Sequence, residues 1–291
     1  MSKIGSRWVA GVAFVAIAFS QAALAQTKAP DEPSPAATSG VDTAAPEPFA
    51  GTVCEHPADA AREAADQRIV DETIRASNSG GYAALATHLD ALRDVLAHAP
   101  SCYPEVERRG DDVIVRSDAD SSAILALTVV AAGQHRNTRV VRGPNPYGNA
   151  SLLLGAYSNE MRNFEDAIAW LDRGLALQPR EQHLVLEKAT ALGQLRRFDE
   201  QVALLQAELN DPWASLSLDT ARFQRNLGIA LIDLNRLDEA EAALREAIRL
   251  QPDNPRAENE LRYLAQLRAG GQRTTASMGH VGEDAPPAPR Q

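Results

Sequence analysis

Residues 221–254, ARFQRNLGIALIDLNRLDEAEAALREAIRLQPDN, constrain this chain more than any other stretch. Phe223, Leu227, Ala230, Leu231 and Leu234 recur at spacings of three and four, the apolar stripe of an amphipathic helix. Asn235 and Arg236 form a short polar turn, and Ala240, Leu244, Ala247 and Ile248 lay down a second stripe. Gly228 has no side chain, so the second helix can approach the first closely there, and Ala240 and Ala247 keep the opposite surface low. Pro252 cannot continue a helix and ends the second one. Such a hairpin cannot bury its apolar face alone, so it requires neighbours.

The neighbours are upstream. Residues 148–181 place Leu154, Gly155, Phe164, Ala167, Leu171, Gly174 and Pro179 in the same order, and residues 182–212 place Ala189, Leu192, Phe198, Leu205 and Pro212. The copies start at 148, 182 and 221. In the second, Gln201 stands where a small residue is expected. This order of large and small residues, then Ala, then Pro resembles the tetratricopeptide repeat (TPR) over 34 residues. Leu237 takes the place where the family carries an aromatic or large residue, and Ser151, Val185 and Gln224 replace its early Trp. The resemblance implies an all-α fold, a short solenoid of stacked helical hairpins over 148–269. Residues 255–268, opened by Pro255 and with Leu261, Leu264 and Leu267 on one side, read as the helix that caps the last apolar face.

The resemblance also implies a concave groove lined by the first helix of each repeat. Carried over position by position, its lining is Asn149, Leu152, Ala156 and Asn159, then His183, Leu186, Thr190 and Gly193, then Arg222, Arg225, Ile229 and Ile232. Asn226 matches a place used by TPR co-chaperones that clamp an acidic C-terminal peptide, but the earlier repeats lack the matching Lys and Asn. The groove starts small and apolar and gains two cations late, which suits a peptide or helix whose carboxylate pairs with the arginines.

The remainder of the chain divides by composition. Residues 1–25 read as a signal peptide: Lys3 and Arg7, an apolar run from Trp8 to Phe19, and Ala23-Leu24-Ala25 as the cleavage site. The expected location is therefore periplasmic or secreted. Residues 26–51, with Pro30, Pro33, Pro35, Pro46 and Pro48, read as a disordered linker, and 270–291 as a tail. Residues 52–103 read as a helical hairpin, with a first helix over about 58–76, a turn at Ser77-Asn78-Ser79-Gly80-Gly81, and a second helix from Tyr82 to about His98. The spacing of Tyr82 and Leu89 is that of Phe164 and Leu171, so this hairpin resembles a degenerate repeat. Cys54 and Cys102 bracket it at the two ends that antiparallel helices bring together, and an exported chain would keep them paired. Such a loop implies roughly 3–4 kcal/mol of stabilisation in the chain-entropy model. Within 104–147, the spacing allows a β pair between 112–116 and 138–142, and Ala123–Ala132 reads as a buried helix behind the caps Asp118, Asp120 and Ser121.

The sequence holds no G-x-S-x-G, no H-E-x-x-H and no glycine-rich phosphate loop, so it offers no catalytic, metal or cofactor site. A net charge of −10 argues against non-specific binding to nucleic acid or to an anionic membrane surface. The expected role is an exported scaffold without catalysis that binds a protein or peptide partner. The alternatives are a structural component of an envelope export or polymer-secretion assembly, and an enzyme domain at 52–147 whose substrate the repeats recruit.

Overall fold

The computed structural model describes residues 52–116, 139–211 and 220–272. The signal peptide, the linker, the helix read at 123–132 with its caps, and all but the start of the tail lie outside the described residues. Helix α1 (Ala60–Leu85) is followed by a 3-10 turn and α2 (Leu89–Ala97), then by strands β1 (Val106–Arg109), β2 (Asp112–Val115) and β3 (Arg139–Arg142). The repeats follow as α3 (Pro146–Glu160), α4 (Phe164–Leu177), α5 (Gln182–Gln194), α6 (Phe198–Leu209), α7 (Thr220–Asp233) and α8 (Leu237–Leu250), and α9 (Pro255–Arg268) closes the array.

The three hairpins of the array turn in the same way. Arg162, Arg196 and Asn235, each the fifteenth residue of its copy, adopt the left-handed conformation with φ of 61°, 59° and 61°. In each turn the next residue's N–H reaches back five residues, as in Asn163 N to Ser158 O at 2.8 Å, Arg197 N to Leu192 O at 2.9 Å and Arg236 N to Leu231 O at 2.9 Å. The left-handed residue donates to the carbonyl three back, so each first helix ends in a Schellman motif that satisfies its last carbonyls. The second helices begin with paired acids, Glu165 and Asp166, Asp199 and Glu200, Asp238 and Glu239, which suit the positive end of a helix.

Packing within each hairpin depends on close approach. A Cβ on Gly155 would lie 2.5 Å from Leu171 Cγ, and one on Gly228 would lie 2.6 Å from Leu244 Cγ. The second copy reaches the same end differently. Gln201, which occupies the small position, is fully buried, and a Cβ on Gly193 would meet its amide nitrogen at 2.9 Å. The missing side chain has moved to the first helix, and the hairpin keeps its spacing. Between repeats, α3 packs against α5 and α7 against α9, while no comparable packing joins successive second helices. Repeats 2 and 3 instead join through α6 and α7, and α5 makes no comparable contact with α7. One apolar core joins repeats 2 and 3 to α9 through Leu186, Leu205, Phe223, Leu231, Leu244 and Leu264, and another joins repeats 1 and 2 through Leu171, Leu184 and Leu192.

The N-terminal hairpin is present, with one correction. Residues 77–80 are helical rather than part of a turn. Ser79 keeps them so by donating its hydroxyl to Arg75 O at 3.1 Å and Ala76 O at 3.0 Å, and Ser77 is buried. The chain reverses at Gly81 alone, at φ 66° and ψ −158°, a conformation open essentially to glycine. This is not the turn of the repeats, so the hairpin copies their spacing without copying their geometry. Cys54 and Cys102 are disulfide-bonded, with Cα atoms 5.7 Å apart. The hairpin shares an apolar core with the first repeat, in which Val70, Ile74, Leu92 and Leu96 meet Tyr147, Ala150 and Leu154.

A small three-stranded sheet joins this end of the helical array. β2 and β3 pair in parallel, with Asp112 opposite Arg139 and Val115 opposite Arg142, as the sequence allowed. β1 adds an antiparallel hairpin to β2 across a turn at Gly110, whose φ is 62°.

Arg162 bears a side chain in a conformation that glycine adopts without strain. Arg162→Gly should raise stability by about 1 kcal/mol in urea unfolding. Gly228→Ala should lower it by roughly 1–3 kcal/mol, since Leu244 is fully buried and has nowhere to move.

Candidate functional site

The first helices carry the residues that the repeat register assigns to the groove. Asn149, Leu152, Ala156 and Asn159 on α3 are half-buried and form a largely small, polar surface. Asn159 Nδ2 donates to Glu187 Oε2 at 2.9 Å, which ties the first repeat to the second across this surface. On α5, His183 is half-buried with Nδ1 3.0 Å from Glu181 Oε1, and the Thr190 hydroxyl donates to Leu186 O at 3.0 Å. Leu186 and Ile232 are buried in the core between repeats 2 and 3, and Gly193 is the contact for Gln201, so these three serve packing. Ile229 and Asn226 remain half-buried beside the two arginines of α7.

Arg222 and Arg225 are joined by a third cation that the sequence reading passed over. Arg256, on the cap helix, stands near enough to act electrostatically on Arg225. Loss of hydration, followed by the charges of Arg256 and Arg222, holds Arg225 below the usual guanidinium range, and Glu260 opposes this. Among the described residues, none of the three arginines has a carboxylate at ion-pair distance. The arginines of the second helices contrast with them: Arg197 pairs with Glu200 at 2.6 Å, Arg236 with Glu239 at 2.6 Å and Arg249 with Glu246 at 2.6 Å. On the first-helix row three cations stand together, and the middle one, Arg225, has lost part of its hydration. A carboxylate or other anion from outside would complete them.

Arg256 was legible in the register. It lies 34 residues after Arg222, so α9 repeats the first helix of a further copy and Arg256 takes its second position. Along the row the second positions read Asn149, His183, Arg222 and Arg256, and charge accumulates toward the C-terminal end.

A second polar cluster, at the other end of the array, was not legible. The buried stripe of α1 runs Glu63, Asp66, Val70, Ile74 and Ser77, so its first two turns present carboxylates to the interior. Arg116, at the end of β2, has a wholly buried side chain that lies 2.7 Å from Glu107 Oε2 and 3.4 Å from Glu63 Oε1. Its guanidinium stacks over the Tyr103 ring at 4.0 Å, and the Tyr103 hydroxyl donates to Glu63 Oε1 at 2.6 Å and Pro144 O at 2.8 Å. Tyr147 meets Tyr103 edge-on at 4.7 Å between centroids, and its hydroxyl donates to Asp66 Oδ2 at 3.3 Å. Burial, then Asp66, pushes the Tyr147 phenol up to about 12. Burial pulls Arg116 down, but Tyr103, Glu107 and Glu63 together hold it above its ordinary value. Each charge here has a partner inside the protein, so the cluster ties hairpin, sheet and first repeat together rather than waiting for a ligand.

With this geometry in view, the family model described as tetratricopeptide repeat matches residues 221–254. That segment is a tetratricopeptide repeat. The matched segment is the α7–α8 hairpin and the loop after it, the stretch that carries Arg222 and Arg225. The chain is similar in structure to the pilF protein of Pseudomonas aeruginosa, at 14% identity and a TM-score of 0.49 over 72% of each chain. It is similar to MamA (41-end) of Desulfovibrio magneticus RS-1, at 14% identity and a TM-score of 0.46 over 72% of this chain and 86% of that one. It is also similar to the first TPR of Spaghetti (RPAP3) bound to the HSP90 peptide SRMEEVD, at 21% identity and a TM-score of 0.38 over 42% of this chain and 94% of that one. No curated protein matches the chain in sequence.

Arg116→Met leaves Glu63 and Glu107 buried without their cation. Urea unfolding should show a loss of about 3–5 kcal/mol, with the N-terminal hairpin affected first.

Proposed function

We propose that this protein is a non-catalytic scaffold that binds a protein partner along its first-helix row. The partner presents carboxylates to Arg222, Arg225 and Arg256. The observation that carries the reading is this trio: three neighbouring arginines on the groove row, with no carboxylate at ion-pair distance among the described residues. Holding the part-dehydrated Arg225 beside two further cations costs stability, and a partner's carboxylates would relieve that cost. Half-buried Ile229 supplies an apolar contact next to them. The repeat at 221–254 supports the same reading, because repeats of this kind present an extended concave surface for partners.

We further propose that the protein acts outside the cytoplasm. The signal-like residues 1–25 and the intramolecular disulfide support this location, since an oxidising compartment preserves such a bond. The paired acids and arginines of the second helices give an outer surface that suits a scaffold presented to solvent.

The test is capture of partners from envelope extracts by the purified full-length protein and by the Arg222→Glu/Arg225→Glu variant. Circular dichroism confirms that both are folded. Charge reversal should reduce capture roughly tenfold or more, and wild-type capture should fall as salt is raised. Equal capture by both proteins would place the partner surface elsewhere.

A further inference from the structure

The N-terminal region meets the array at a second place besides its apolar core. Glu105, between α2 and β1, is buried, and its Oε1 accepts the backbone N–H of Arg180 at 2.5 Å in the turn between repeats 1 and 2. Glu181, the next residue of that turn, is buried as well. Its Oε1 lies 3.4 Å from the His183 N–H and 3.0 Å from His183 Nδ1, and its Oε2 is enclosed without a hydrogen-bond partner. The Arg180 guanidinium faces this place too, with Nε 3.4 Å from Asp211 Oδ2. Glu208 stands behind it and accepts from Gln182 Nε2 at 2.9 Å. On the N-terminal side, Arg116 reaches Glu105 only through its backbone N–H, at 2.8 Å to Glu105 O, because its guanidinium is held by Glu63 and Glu107. Four carboxylates, two of them buried, thus surround one guanidinium that already has a partner.

We propose that Glu105 is a proton-gated joint: protonated, it seats the N-terminal region on the turn between repeats 1 and 2, and ionised it loosens that contact. The neutral carboxyl keeps a carbonyl oxygen for the Arg180 N–H and carries no charge into buried surroundings. The ionised form meets the loss of water and the charge of Glu181. Burial, opposed by the Arg180 and Glu105 N–H groups and aggravated by Glu181, pushes the Glu105 carboxyl up to about 7. A carboxyl raised in the seated form binds its proton more tightly there than in the open form. Its contribution is complete below the ordinary value of 4.5 and is lost as pH rises through about 7. The seating equilibrium should weaken about tenfold between pH 6 and pH 8.

The Arg180 amide reports this contact directly. Hydrogen exchange of the peptide spanning 178–182 would be followed in the oxidised full-length protein at pH 6 and pH 8, corrected for intrinsic chemical exchange. Wild-type protection should fall about tenfold between the two. In Glu105→Gln, whose amide oxygen still accepts the Arg180 N–H, protection at pH 8 should equal the wild-type value at pH 6 and should not change with pH. Glu181→Gln should move the wild-type transition to lower pH. Equal wild-type protection at both pH values would overturn the joint, as would the same fall in Glu105→Gln.

Discussion

The contact between a bare backbone and a leucine fixes the spacing on which the array is built. Gly155 against Leu171 and Gly228 against Leu244 let two helices approach so closely that neither glycine could carry a methyl group without displacing its partner. Once that spacing is set, the three left-handed turns at Arg162, Arg196 and Asn235 fall at the same place in every copy. The first helices of repeats 1 and 2 then pack on each other, as do those of repeat 3 and the cap, and the residues on each such face are presented together. The second repeat shows that the constraint concerns space rather than identity, since Gln201 and Gly193 exchange the large and small roles and leave the hairpin intact.

The proposed function follows from that presentation. The first-helix row is small and polar at its first repeat and basic at its last, where Arg222, Arg225 and Arg256 stand together with Glu260 in electrostatic range but no carboxylate at ion-pair distance among the described residues. The second helices instead pair their arginines with acids one turn away. The array therefore neutralises its second helices and leaves one concentrated positive place on its first-helix row. At the other end, charges are handled differently: Glu63, Asp66, Glu107 and Arg116 are paired in the interior and bind hairpin, sheet and repeats into one unit.

The repeats were legible because their period is carried by small and large apolar residues at fixed places, which the second copy's exchange hardly blurs. The disulfide was legible because an antiparallel hairpin brings its ends together, and β2 with β3 because Val113, Ile114, Val140 and Val141 favour strands. The turn of the first hairpin misled, since Ser77, Asn78, Ser79 and Gly80 are turn formers in sequence, yet a serine hydroxyl bonded back to the helix keeps them helical. β1 went unread because Glu107, Arg108 and Arg109 look like a solvated run; Glu107 instead turns inward to meet Arg116. Buried charge of this kind leaves no periodic trace. Of the candidate site, Arg222 and Arg225 were read directly, while Arg256 required continuing the 34-residue register one helix past the last recognisable repeat.

The central claim is that partners engage the first-helix row at its basic end. The sharpest check is site-specific photo-crosslinking in cells, with a photoreactive residue at Asn226, next to Arg225, and in a second protein at Ala242, exposed on the second helix of the same repeat. The account predicts a discrete crosslinked partner from position 226 and none from position 242. Crosslinks from 242 with none from 226 would contradict it.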